Sequence, residues 1–233
     1  MSQTNDDSEG IQARLAEVRS GIEAATQRAG RAPGSVRLVA VSKNKPAEAI
    51  RAAYAAGQRD FGENYAQELE EKAAALADLE GIRWHAIGQL QRNKAKVVAR
   101  VARFVHAVDR EELAVELARR ASAAGVTLEA LVEVNVSGEA SKGGCVPASL
   151  GELVGVIRKL EGLRLVGLMT IPPASDEAEA ARPVFAALSA LRDEHGGAAA
   201  LPELSMGMTH DYPIAIAEGA TMVRVGTAIF GSR

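Results

Sequence analysis

The sequence has a single cysteine, Cys145, among 233 residues. One thiol excludes an intrachain disulfide and a cysteine-rich metal centre, so no metal site is expected. It also points to a reducing, cytoplasmic compartment. No run of about 18 apolar residues is present, the length a helix needs to cross the hydrocarbon of a bilayer. Basic charge is not in excess: 27 Lys and Arg stand against 30 Asp and Glu, a net charge of −3. A duplex binder usually carries a basic face, because neutralising phosphate supplies much of its affinity, so nucleic acid is not an expected partner. The N-terminal stretch MSQTNDDSEG lacks an apolar core and does not read as a signal peptide. Residues 1–8 are expected to form a disordered tail ahead of one domain over 9–233. No composition break, linker or internal repeat divides that domain.

Short β-rich runs alternate with Ala-rich helical runs almost from end to end. An opening helix is expected over 11–29, closed by Gly30 and Pro33. Strand candidates then recur at 36–42, 59–64, 83–88, 104–108, 128–136, 163–170, 202–207 and 221–226. A helical stretch follows each of the first seven, one with Pro46 suited to its first position and one with Asp109 as its expected N-cap. Strict alternation of this kind argues for a parallel sheet with helical crossovers. Eight units in about 200 residues argue for a closed (β/α)8 barrel, here with an extra N-terminal helix. A doubly wound sheet would want a glycine-rich loop after its first strand, and VAVSKNKP is not one.

The barrel directs attention to the C-terminal ends of its strands, where this architecture keeps its chemistry. The first strand ends in Ser42-Lys43 and runs on to Lys45-Pro46. Lys43 shares side-chain parity with Val39 and Val41, because strand side chains alternate faces. If that parity points inward, an amine stands on a rigid strand at the barrel mouth, as covalent capture of an aldehyde requires. If it points outward, both lysines are solvated strand-end charges. Asn64 at the second strand and His85 on the third are candidates to hydrogen-bond a ligand. Met169 and Thr170 end the sixth strand. The seventh strand ends in Ser205-Met206-Gly207 and the eighth in Arg224-Val225-Gly226-Thr227. Loops after strands seven and eight are the usual phosphate site of the architecture, and glycine lets backbone approach closely there. The ligand these features ask for has two handles, an electrophilic carbonyl and a phosphate. Pyridoxal 5′-phosphate has both, and so has a phosphorylated sugar that an aldolase would hold through a lysine.

The stretches AVSKNKP, FGENYAQE, WHAIGQLQRNKAK, VNVSGEASKGG, GLMTIP, LSMGMTHD and TMVRVGTAIFG resemble the pyridoxal phosphate homeostasis proteins, also called YggS or proline synthetase co-transcribed proteins. They follow the family order from about residue 36 to 231. The resemblance implies a single barrel similar to the N-terminal domain of alanine racemase. It implies a Schiff base between Lys43 and pyridoxal phosphate, with Ser205, Gly226 and Thr227 around the phosphate. It puts Arg224 at the pyridine nitrogen and Asn64 near the cofactor. Met206 and Gly207 would contribute through backbone and packing, and His85 would line the pocket. Thr209 stands where many members have serine, and Pro213 falls in the first turn of a helix.

The function implied is custody of the cofactor without turnover, with no catalytic residue, by a monomer that passes pyridoxal phosphate to apo-enzymes. The alternative is an amino-acid racemase-like enzyme. A racemase of this type needs a second base, a tyrosine from a C-terminal β domain, and no such domain is expected after Arg233. The tyrosines of this chain are Tyr54, Tyr65 and Tyr212.

Overall fold

The computed structural model describes residues 2–139 and 142–231, with side chains from Ser8 onward. The tail expected over residues 1–8 falls mainly outside the described side chains, on the first turns of a long opening helix, α1 (Ser2–Arg28). The chain then alternates β1 (Arg37–Val41), α2 (Ala47–Ala55), β2 (Asp60–Glu63), α3 (Ala66–Ala75), β3 (Arg83–Ala86), α4 (Ala95–Val101), β4 (Phe104–Val108) and α5 (Glu111–Ala123). It continues with β5 (Leu128–Glu133), α6 (Leu150–Ile157), β6 (Leu163–Met169), α7 (Arg182–Glu194), α8 (Gly197–Ala200), β7 (Glu203–Ser205), α9 (Tyr212–Ala217), β8 (Met222–Val225) and α10 (Thr227–Phe230). The eight strands are parallel and neighbour one another in sequence order. β1 pairs with both β2 and β8, so the sheet closes and keeps no open edge. This is the expected (β/α)8 barrel with an added N-terminal helix.

Closure explains the strand composition. Each strand is covered outside by helices and inside by its facing strands, so FVHAV of β4 and LEALVE of β5 are buried at every position. Two apolar layers result. The outer one packs strand residues such as Leu38, Ala40 and Val105 against the helices. A small inner cluster gathers Phe104, Ala107, Leu131, Val166, Met169 and Met222. The helix before β5 begins one residue later than its acidic signal suggests. Arg110 is extended at the cap (φ −157°, ψ 155°), and the Asp109 carboxylate accepts from the Arg110 guanidinium, so Asp109 is not the N-cap. Glu111 and Glu112 in the first turn and Arg120 in the last still match the helix dipole.

α1 buries Ile11, Leu15, Val18, Ile22 and Ala25, a stripe at helical spacing. It lies across α2, α9 and α10, the seam where the last βα unit meets the first. Arg14 Nε donates to Ile229 O at 2.7 Å, and Arg19 Nη1 donates to Ala56 O at 2.7 Å, one bond on each side of the seam. Leu15 is fully buried there. Leu15→Ala is expected to cost about 2–5 kcal/mol, by lost transfer energy and the cavity left behind. A melt of the full chain checks this, and an unchanged melting temperature would mean that α1 is not part of the barrel's cooperative core.

Candidate functional site

A cleft of about 560 Å³ opens at the C-terminal mouth of the barrel. β1 supplies the amine. Leu38 and Ala40 point out to the helices, while Val41 and then Lys43 face the cleft, so the Lys43 parity is the inward one. Lys45 does not line the cleft. The backbone around Lys43 is tied on both sides. Ser42 Oγ donates to Glu63 Oε1 at 2.6 Å, and Lys72 Nζ donates to Ser42 O at 2.6 Å and to Glu63 Oε1 at 2.8 Å. Asn44 follows in the left-handed region (φ 57°), with its N–H donating to Glu68 Oε1 at 2.6 Å. Burial pushes the Glu63 carboxyl up, against the opposing pull of Lys72 and Ser42.

β8 supplies the floor. Arg224 is buried, and its Nη1 donates to Ser205 Oγ at 2.6 Å while Nη2 donates to Thr170 O at 3.0 Å. Its backbone N–H donates to Gly207 O at 2.9 Å. Burial pulls the guanidinium down to about 10, with Glu133 and Asp211 opposing, so it stays charged at neutral pH. Glu133 ends β5 and lines the cleft with 5% of its surface exposed. Burial, then the charge of Asp109, pushes its carboxyl up to about 7 against the pull of Arg224. Its Oε2 is buried with no hydrogen-bond partner among the described residues.

The loops after β7 and β8 meet beside that floor. Gly207 turns the chain at φ +91°, where an added Cβ would lie 2.5 Å from Ala215 Cβ. Asp211 Oδ1 accepts from Met208 N–H at 2.6 Å and holds the turn. Thr227 Oγ1 donates to Thr209 Oγ1 at 3.2 Å, pairing two hydroxyls on the cleft wall. A Cβ at Gly226 would sit 3.1 Å from Val41 O, so glycine lets β8 leave the barrel close to β1.

Lys43, Asn64, Arg224, Gly226 and Thr227 therefore surround one cleft, as the strand-end reading expects. Ser205, Met206, Gly207 and His85 do not form its wall. Ser205 is fully buried beneath Arg224, one layer below the mouth, and Thr209 stands at the cleft in its place. Met206, next along, points into the outer apolar layer. Gly207 acts from behind through its turn and its carbonyl. His85 is fully buried inside the barrel, stacked on Phe104 with centroids 4.5 Å apart and bonded to His106 and Asp60. Glu133, Asn135, Lys142 and His210 line the cleft without having been read from sequence as site residues. Glu133 had a signal: an acidic residue directly after the apolar Ala130-Leu131-Val132, near the C-terminal end of a strand candidate.

The tyrosines lie elsewhere. Tyr54 Oη donates to Glu80 O at 2.9 Å, and Tyr212 abuts Gly21 of α1. Tyr65 is 65% exposed and belongs to a neighbouring depression with Lys94 and Arg110. Among the described residues no group of three or more His, Cys, Asp and Glu is placed to hold a metal, and no helix is long and apolar enough to cross a membrane.

A closed barrel with an inward strand-end lysine and a buried arginine floor defines a class, and comparison with known proteins agrees. The profile of the alanine racemase N-terminal domain matches residues 14–233. The pyridoxal phosphate homeostasis protein of Pseudomonas aeruginosa is 49% identical over 224 residues, covering 96% of each chain. That of Aquifex aeolicus is 45% identical and covers 94% of this chain and 97% of its own. The structure of PipY from Synechococcus elongatus with PLP bound superposes with a TM-score of 0.83 at 40% identity, over 95% of this chain and 100% of that one. The chain belongs to the pyridoxal phosphate homeostasis protein family, within the class built on the alanine racemase N-terminal domain.

The raised Glu133 carboxyl makes stability depend on pH. Its native value near 7 lies above the ordinary 4.5, so the unfolded chain releases a proton that the native state keeps. The penalty is absent below about 4.5 and grows as the pH rises to about 7. Glu133→Gln removes this titration and is expected to gain on the native protein at pH 8 relative to pH 5 by roughly 1–3 kcal/mol. Denaturant melts at the two pH values measure it. An equal difference at both would show that Glu133 does not titrate in that window.

Proposed function

We propose that this protein keeps pyridoxal 5′-phosphate in custody, held as a reversible Schiff base on Lys43, and serves intracellular cofactor homeostasis without turnover. The observation that carries the reading is an order around the mouth. The Lys43 amine on β1, the Arg224 guanidinium on β8 and the paired Thr209 and Thr227 hydroxyls open into one cleft, with β8 lying between β1 and β7. The residues present fit the group. An amine meets its aldehyde, two hydroxyls and a glycine turn suit its phosphate, and a buried N–H donor suits its ring nitrogen.

When bound, the cofactor supplies a carbonyl for a reversible covalent link and a ring that accepts electrons. The protein's own residues decide how far that chemistry goes. Arg224 only donates hydrogen bonds and stays charged, so a ring nitrogen facing it is left unprotonated. A ring in that state accepts electrons poorly. Thr209, Thr227 and Gly226 orient the phosphate, and Asn64 steadies the ligand from the β2 side. No tyrosine of the chain lines the cleft to serve as a second base. The names of the related proteins, which describe homeostasis, support custody over turnover. In this reading the protein is a cytoplasmic monomer, and apo-enzymes that need the cofactor are its acceptors.

Incubation with pyridoxal phosphate and reduction with borohydride is expected to leave the adduct on the Lys43 peptide by mass spectrometry. Lys43→Ala is expected to lose that adduct and to retain cofactor at least about tenfold more weakly, a loss of about 1.4 kcal/mol. Undiminished labelling of the variant overturns the site. Conversion of an L-amino acid to its D-form well above the rate of free cofactor overturns custody.

A further inference from the structure

A chain of polar side chains runs through the barrel interior behind the cleft. Arg224 Nη1 lies 2.6 Å from Ser205 Oγ, and Ser205 Oγ lies 2.8 Å from His106 Nδ1. His106 Nε2 lies 2.9 Å from His85 Nδ1, and His85 Nε2 lies 2.9 Å from Asp60 Oδ1. Ser205 and both histidines are fully buried, and Asp60 and Arg224 nearly so. Asp60 opens β2 at the end of the barrel away from the cleft, where the Arg83 side chain, half exposed, pairs with it.

The chemistry of the two ends sets the direction of every bond between them. A guanidinium can only donate and a carboxylate can only accept. Ser205 Oγ therefore accepts from Arg224, which leaves its own proton for His106 Nδ1. A neutral His106 then carries its proton on Nε2 and donates to His85 Nδ1. His85 in turn carries its proton on Nε2 and donates to Asp60. The reverse order would turn the bare Nε2 of a neutral His85 toward a carboxylate, and only an imidazolium would repair that contact.

We propose that Ser205, His106 and His85 are positioning residues: they form a hydrogen-bond relay of one fixed direction from Arg224 to Asp60, and through it hold the guanidinium in the orientation that a bound pyridine nitrogen meets. The last clause rests on the custody reading; the relay does not. Burial, with the nearby arginines, favours neutral rings. Burial pushes His85 down, opposed by Asp60 and reinforced by Arg37 and Arg83. Burial pushes His106 well down, and His85, Arg224 and Arg37 act in the same sense. Burial alone would raise Asp60, but bonds from Arg83 and His85 hold it at about 2, so the accepting end stays ionised. Bonds aligned in one direction polarise one another, which stiffens the chain between its opposite charges.

The test begins with the full chain free of cofactor and labelled with 15N-histidine. Long-range proton–nitrogen correlations are expected to show His85 and His106 neutral, protonated on Nε2 and bare on Nδ1. They should stay so from about pH 6 to pH 8, where a free imidazole titrates. An N–H on Nδ1 of either ring, or a doubly protonated His85, overturns the relay. The positioning role is read on the loaded protein from the pH midpoint of the cofactor's absorption. S205A is expected to move that midpoint by about 0.5–1 unit and S205T, which keeps the hydroxyl, to restore it. An unmoved midpoint in folded S205A overturns the positioning role. Unaltered protein that takes up no cofactor overturns the custody reading alone, and the histidine spectra then decide the relay.

Discussion

A guanidinium buried inside a closed barrel is the constraint around which the rest of the molecule is arranged. Arg224 keeps its charge with only 4% of its surface exposed, so most of its donors must be met by protein. The interior answers with Ser205 Oγ and Thr170 O on the facing strands and with the Glu133 carboxyl nearby. Polar side chains take interior positions in return: His85 on β3 and His106 on β4 lie beside an inner apolar cluster of six side chains among the described residues. The outer layer carries the bulk of the apolar burial, and so the barrel depends on its helices and on the α1 strap across the seam.

The same economy governs the Lys43 side of the cleft. The Lys43 side chain opens into the cleft while the backbone beside it is held. The loop achieves this with a second, buried cation: Lys72 binds Ser42 O, Glu63 and Glu68 together and lets Asn44 sit in a left-handed turn. Lys43 follows directly from a strand locked in register with β2 and β8 and points its chain into the cleft. Rigidity lies in the neighbours of Lys43.

These two sides meet at the barrel mouth. The buried Arg224 guanidinium keeps its charge, and the tyrosines are spent on packing and on the outer surface. The cleft also reaches Gln89 beyond β3 and Glu133 at the end of β5, with Lys142 on its wall.

The order of short apolar runs and Ala-rich stretches determined the eight-fold alternation, and with it the barrel, because period and spacing are local properties. The rule that chemistry lies at strand ends then picked out Lys43, Asn64, Arg224 and Thr227 directly. What sequence left open was decided by register and closure. Val41 and Lys43 face inward because β1 joins β8 at Val39 and Arg224. Ser205 lies under the arginine and not on the cleft wall because β7 ends one layer below the mouth. His85 and His106 meet because β3 and β4 are neighbouring strands of the sheet. A contact between residues 99 apart, such as His106 with Ser205, has no trace in either local pattern. The chain by itself determined which elements form and where their ends fall, and only the closed barrel decided which side chains share its interior, because that choice is made by strands far apart in sequence.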